Sequence, residues 1–246
     1  MRNILSGNIL GPLAVEGDFK ASGYYVNASG NPDCSNFNDI SGYVLVVDGS
    51  VYADQVRVNG AGDVPLGSTG LQETQNSCAI NNNVGLYDFN QAKSNAILAS
   101  KVFAAMKPTL SLDSNGKLTS TGHMSDPSTM LKGIGNWNGP QGMSWPSDGT
   151  LVFSVLIDSG STFILKVNNP TNGLDSCRTI FDFYPSDSSG TYNSGDITLK
   201  RNTGSNFGGF SLAPEAHIVD GNTAAFADTL VEKEYSWSGS GVEIHN

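Results

Sequence analysis

Basic residues are scarce in this chain: 13 Lys and Arg stand against 23 Asp and Glu, a formal net charge of −10. Surfaces that bind nucleic acid or anionic lipid need Lys/Arg clusters to neutralise phosphate, and the chain lacks them, so neither partner is expected. Long apolar runs are also missing. No stretch approaches the ~20 apolar residues of a membrane span, and no insertion into a bilayer is expected. Met1-Arg2-Asn3 is not a basic-then-apolar leader; a mature chain with its signal and anchor removed would begin this way, and so would a cytosolic one. Histidine is limited to His123, His217 and His245, none at a catalytic or metal-ligand spacing from a Ser, Cys or second His. G-x-S-x-G, H-E-x-x-H and G-K-[ST] are all absent, so the sequence implies no enzyme, cofactor or metal centre.

What the chain has is turns. It holds 29 glycines, only 15% of its residues are charged, and its apolar runs are short. That composition suits short strands joined by tight turns, not a helical bundle. The 246 residues suffice for one large all-β domain with a substantial core, and no linker marks a second one, so residues 1–246 read as a single domain.

Two stretches repeat without gaps. LAVEGDFKASGYYVNA, starting at Leu13, aligns on LVVDGSVYADQVRVNG, starting at Leu45: Val15 on Val47, Gly17 on Gly49, and Val26-Asn27 on Val58-Asn59. Each copy reads as strand, glycine turn and second strand. Matched units of this kind are expected of stacked β-solenoid coils, because one coil cannot bury its apolar face without a neighbour. Toward the C-terminus, Leu212-Ala213-Pro214 and Leu230-Val231-Glu232 lie eighteen positions apart, about one further coil, and the last forty residues read as closing the column.

Both N-terminal copies run into a polar insert at the same point, the first holding Cys34 and the second Cys78. Equivalent points on stacked coils share an edge, so a Cys34–Cys78 disulfide is expected, and with it a compartment outside a reducing cytosol. Three cysteines allow three single pairings; this one leaves Cys177, in LDSCRTI, as a buried thiol within an apolar strand. Asn27-Ala28-Ser29 is a sequon and makes Asn27 a candidate glycosylation site. One helix is expected, over about 88–107, capped by Asp88 and ended by Pro108. Phe89, Ala92, Ala96, Ala99, Phe103 and Met106 form its packing face, with Lys93, Asn95 and Lys101 on the outer side. LSLDSNGKLTS reads as a hairpin turning at Asn115-Gly116, and TLVFSVLIDSGSTFILKVNNP as two strands about a Ser159-Gly160 turn.

These residues resemble a known family. The L-x-V-x-G units, the D-F-x-x-A-K helix, SVLIDSGSTFILKVN, IFDFYPSD, and above all GGFSLAPEAHI followed by DTLVEKEYSWSGSGVEIHN are similar to the choice-of-anchor A domain, over about 11–246. The resemblance implies an ice-binding-like adhesive domain of secreted, wall-attached microbial surface proteins, a fungal adhesin among them. It further implies a right-handed β-solenoid with one long helix packed alongside. The two Cys-bearing inserts and the Trp-containing segment 122–149 depart from the family pattern, and no binding-residue motif carries over.

The sequence bears on several kinds of function, a structural wall or coat protein that binds nothing in particular among them. A secreted polysaccharide-active enzyme would need clustered carboxylates, whereas Asp182, Asp187 and Asp196 sit at strand ends and turns, where Asp has structural uses. An ice-binding face would need a regular Thr array, and the threonines are scattered. A calcium site around Asp33 and Asp39 lacks the D-x-D-x-D-G pattern. A non-catalytic adhesive module remains, displayed on the cell wall or secreted and working as a monomer. Its partner would be a host or matrix surface ligand, with carbohydrate the natural candidate. Trp137, Asn138 and Trp145 are the candidate ligand-binding residues, since aromatic faces beside amides hold sugar rings. The simpler reading of the same Trp side chains is a small satellite core with Met124, Met130 and Met143.

Overall fold

The computed structural model describes residues 7–35, 40–82, 85, 87–109, 111–112, 118–119, 131–132, 149–238 and 243–245. Among the described residues the architecture is mainly β with one long helix; the sheets are parallel apart from one small hairpin, and one of them curls strongly into a half-barrel. The chain divides into two compact units, Met1–Ala92 with Ser240–Asn246, and Lys93–Gly239.

In the first unit the strands are β1 (Asn8–Ile9), β2 (Leu13–Val15), β3 (Phe19–Ser22), β4 (Tyr25–Val26), β5 (Tyr43–Val47), β6 (Val51–Asp54), β7 (Val56–Val58), β8 (Ala61–Val64), β9 (Leu71–Glu73) and β10 (Ile80–Asn82). The sequence repeat is a physical stack. Leu13 pairs with Leu45, Phe19 with Val51 and Tyr25 with Arg57, all parallel and all 32 residues apart. The next layer is shorter, because β9 lies only 15 residues after the β7 strand it pairs with. Of the two matched turn glycines, Gly49 is required by close approach, since a Cβ there would sit 2.4 Å from the Gly17 carbonyl, whereas a Cβ on Gly17 would meet nothing within 4 Å. Ile244 returns from the far end of the chain to bridge Ile9 in the same unit.

All five β5 residues are buried, which a strand with one solvated face would not show. The inserts explain it. Cys34 and Cys78 are joined, with Cα atoms 5.1 Å apart, and they pack with Tyr43, Val46, Ala61, Tyr87 and Phe89 in a second small core over that face. The disulfide is thus part of a small core that the polar inserts share with β5 and β8.

In the second unit α1 (Phe89–Ala104) continues from Lys93, followed by an antiparallel hairpin of β11 (Ser111–Leu112) and β12 (Leu118–Thr119). The turn proposed at Asn115-Gly116 lies outside the described residues. One six-stranded sheet follows: β13 (Leu151–Asp158), β14 (Thr162–Leu165), β15 (Thr179–Ser186), β16 (Ile197–Arg201), β17 (Phe210–Asp220) and β18 (Leu230–Trp237). The strands either side of Ser159-Gly160 do not pair with one another. Instead β13 pairs with β15 and β14 with β16, each in parallel, and the long β17 pairs first with β15 and then with β16.

Where β17 changes neighbour it bulges. Its offset to β18 is 19 residues up to Ala213 and 17 from His217 onward, not a uniform eighteen. Pro214 lies in that interval and has no N–H to give the ladder, so the irregularity falls where pairing was already forfeit. Buried residues alternate along β13, β14 and β16, whereas β15 is buried on both faces. Phe153 stacks on its register partner Phe181 at 4.9 Å, Phe207 lies 4.4 Å from Phe181, and Phe226 meets Phe207 edge-on. Each buried ring contributes roughly 1.5–3 kcal/mol by leaving water.

From Lys93 onward α1 lies against the outer face of this sheet. Ala96, Ala99 and Phe103 point toward Ile180, Leu212 and Val231, and the Ser154 hydroxyl donates to the Phe103 carbonyl at 3.3 Å. Two expectations about its faces fail. Met106 falls past the last helical residue and is 52% exposed, and Asn95, assigned to the outer side, borders the groove beside the sheet.

Candidate functional site

Three loops leave the second unit's sheet at equivalent places: after β14 (residues 166–175), after β16 (202–209) and after β17 (221–229). All three are rich in Asn, Ser, Thr and Gly, whose short polar side chains can satisfy loop backbone. Here they lace neighbouring loops together. Ser205 Oγ donates to the Asn168 carbonyl at 3.0 Å, Thr171 Oγ1 to the Asn206 carbonyl at 3.3 Å, and the Gly208 amide to Thr171 Oγ1 at 3.2 Å. The Ala225 amide donates to Asn206 Oδ1 at 3.0 Å, and Phe207 bridges Phe226 beneath.

Under these loops sits a fully buried ion pair, Arg201 with Asp220. Arg201 also donates Nη1 to the Thr223 carbonyl and Nη2 to the Ala224 carbonyl, both at 2.8 Å. Burial raises the Asp220 carboxyl above its ordinary value; Arg201 and the Tyr235 hydroxyl oppose the rise. Ala224 itself has φ 58, a left-handed conformation that costs a residue with a Cβ about 1 kcal/mol or more. The result is a cleft of about 720 Å³ walled by Asn169, Thr171, Asn172, Gly204, Ser205, Asn206 and Ala224. Among the described residues no ionisable side chain lines it.

A second, apolar groove of about 530 Å³ runs between α1 and the sheet, bordered by Phe103, Ile180, Phe210, Leu212 and Val231, with Cys177 at its rim. The buried-thiol expectation for Cys177 is overturned: it is exposed. Asp175 accepts the Cys177 amide at 3.1 Å and so caps a single 3-10 turn, Ser176–Arg178, which delays the strand until Thr179.

The other singled-out residues are dispersed. Trp137, Asn138 and Trp145 lie outside the described residues, as do His123 and Asp39. Leu131, from the same segment, is buried in the main core of the second unit. Asn27 is 4% exposed and its Nδ2 donates to the Asn59 carbonyl at 2.8 Å, so the atom a glycan would use is already engaged. Asp33 accepts the Ser35 amide at 3.0 Å. The three acids weighed as catalytic have separate roles. Asp187 closes an exposed turn by accepting from Ser189 and Thr191, Asp196 pairs with Lys233, and Asp182 is buried beneath α1 facing Ser100. Burial pushes Asp182 up to about 7. Nearby, Tyr192 donates to Glu215 and carries Lys101 over its ring; burial and then Glu215 raise its phenol above the ordinary value.

Strand pairing assembles one constellation that spacing could not reveal. His217 Nε2 lies 2.9 Å from Ser236 Oγ and Nδ1 4.0 Å from Glu234 Oε2, across the β17–β18 ladder. Its chemistry is that of a cross-strand row. Ser236 Oγ donates its single hydrogen to the Ile218 carbonyl at 3.1 Å, leaving the oxygen to accept from Nε2–H. A general base needs Nε2 unprotonated, and Glu234 stands beyond hydrogen-bond distance of Nδ1. His245 contacts Glu243 at 2.8 Å. Among the described residues no group of three or more His, Cys, Asp or Glu is placed to hold a metal ion, and no helix is long and apolar enough to cross a membrane.

Comparison with curated proteins found no match, and neither did comparison with solved structures. A family model, described as "Putative Ice-binding-like adhesive domain" (pAdhesive_15), matches residues 3–246. With parallel stacked strands, a disulfide-clamped pair of inserts and polar loops gathered at one corner of a sheet, the chain belongs to this adhesive-domain family.

Proposed function

We propose that the chain is a non-catalytic adhesive module of a secreted or wall-displayed microbial surface protein, of the choice-of-anchor A type and from a fungus. It attaches its cell to a host, matrix or neighbouring cell surface as a monomer. The observation that carries this reading is the adhesive-family match over residues 3–246. The geometry supports it: in-register parallel pairing, such as Leu13 on Leu45 and Leu151 on Thr179, makes a rigid scaffold from which loops are presented. We read that pairing as a right-handed β-solenoid forming one adhesive domain across residues 1–246. The Cys34–Cys78 bond fits display in an oxidising, extracellular setting.

Carbohydrate is the ligand class we favour, with Trp137, Asn138 and Trp145 as proposed contacts. The test is adhesion of beads coated with the purified chain to epithelial monolayers, collagen, fibronectin and insoluble polysaccharides. Saturable retention on at least one surface, competed by free chain, is the expected result; beads indistinguishable from albumin-coated ones on every surface would end the adhesive reading. Trp137→Ala is expected to lower retention on polysaccharide at unchanged melting temperature.

A further inference from the structure

We infer that the cleft walled by Asn169, Thr171, Asn172, Ser205, Asn206 and Ala224 binds an uncharged, polyhydroxylated ligand: a neutral glycan. This deepens the adhesive reading and rests on it.

The first argument is charge. The chain carries a formal net charge of −10, yet the described residues lining the cleft offer only amides, hydroxyls, backbone and the Ala224 methyl. Among the described residues a cationic ligand would find no carboxylate there and an anionic one no Lys or Arg. Amides and hydroxyls are the groups that meet sugar hydroxyls, since each presents donor and acceptor together.

The second argument is division of labour. Thr171, Ser205 and Asn206 are engaged in lacing the loops to one another, and these bonds set the shape of the walls. Asn169 and Asn172 are different: both are exposed, both border the cleft, and neither side chain is engaged by a described residue. Two such amides on one wall can each span a pair of adjacent hydroxyls.

The third argument is preorganisation. The opposite wall includes Ala224, whose left-handed backbone is held by Arg201 Nη2 on its carbonyl, and Arg201 is locked in turn by Asp220. A wall already fixed in its bound shape loses little entropy when a ligand arrives.

The experiment compares retention of the wild-type chain and Asn169→Ala/Asn172→Ala on insoluble cellulose, chitin, β-1,3-glucan and mannan, and on immobilised collagen. Melting temperatures are measured alongside. Retention of the wild type on one of the polysaccharides and at least about tenfold weaker retention of the variant, at equal melting temperature, is expected, since loss of both amides removes several hydrogen bonds of ordinary strength. Equal retention of both proteins on the polysaccharide overturns the site while leaving adhesion intact. Retention on collagen alone overturns the ligand class and also leaves adhesion intact. Retention on nothing overturns the proposal, and the bead assay against cell monolayers then decides the broader reading. If the variant melts early, NMR of the wild type titrated with soluble oligosaccharides of the same four polymers replaces it. Selective shifts of the Asn169 and Asn172 side-chain amides support the site, and unmoved amides overturn it.

Discussion

Asn27 and Asn59 exchange hydrogen bonds: each donates its side-chain Nδ2 to the other's backbone carbonyl, at 2.8 and 2.9 Å. The pair continues, because Asn59 Nδ2 also reaches the Gly30 carbonyl at 2.9 Å and Asn59 Oδ1 accepts from Gln75 Nε2 at 2.9 Å. Asparagine thus occupies the same place in successive layers and satisfies buried backbone at a corner. Asn59→Ala is expected to lower unfolding stability by about 1–3 kcal/mol in urea titration, because it strands buried carbonyls. The same geometry predicts that the chain, expressed in a glycosylating host, shows no glycosidase-sensitive mass at Asn27.

Asp182 predicts a pH effect with a definite sign. Its folded value, about 7, lies above the ordinary 3.8, so the folded chain keeps a proton that the unfolded chain releases. Stability attributable to Asp182 is whole below pH ~4, falls as pH rises toward 7, and is lost above it, by at most about 4 kcal/mol. Asp18, Asp33 and Asp187 are lowered by hydrogen bonds and act in the opposite sense, so whole-protein curves mix the two. The clean reading is the difference between wild type and Asp182→Asn. The variant gains melting temperature relative to wild type as pH goes from 4 to 8, and amide exchange over residues 93–104 slows with it. A gap that does not change with pH refutes the assignment.

Reduction of Cys34–Cys78 should cost about 4 kcal/mol on the loop-closure estimate for a 44-residue separation. A thiol reagent should label one cysteine in the native chain, Cys177, and Cys177→Ser should leave the melting temperature within about 0.5 kcal/mol equivalent.

The row Ser236, His217 and Glu234 should not act as a hydrolase. A fluorophosphonate probe is expected to leave Ser236 unlabelled, and Ser236→Ala to change no esterase signal; labelling would show that Ile218 releases the hydroxyl and would reopen the enzymatic reading.

The layers were legible because a gapless sixteen-residue match, Leu13 to Ala28 on Leu45 to Gly60, admits one register, and the shared insertion point then brings Cys34 to Cys78. The C-terminal register was legible only to within a residue, since Pro214 places a bulge whose size no local pattern states. Cys177 was misread because LDSCRTI has strand-like composition, while the capping role of Asp175 depends on a turn three residues long. The cleft was invisible for a different reason. Its walls come from three loops whose lining residues lie 18 to 55 positions apart, each an ordinary turn by itself, and it exists only through the pairing of β14, β16 and β17.

The unequal distances between paired strands carry a consequence for how such a chain can change. Leu13 meets a partner 32 positions on, Thr162 one 36 positions on and Val56 one only 15 on, yet all three ladders are regular. Hydrogen bonding registers which edges touch and is indifferent to the slack between them. Residues can therefore be spliced into or cut from any corner while the neighbouring edges stay aligned, so a lineage can remodel what it grips without renegotiating how it folds.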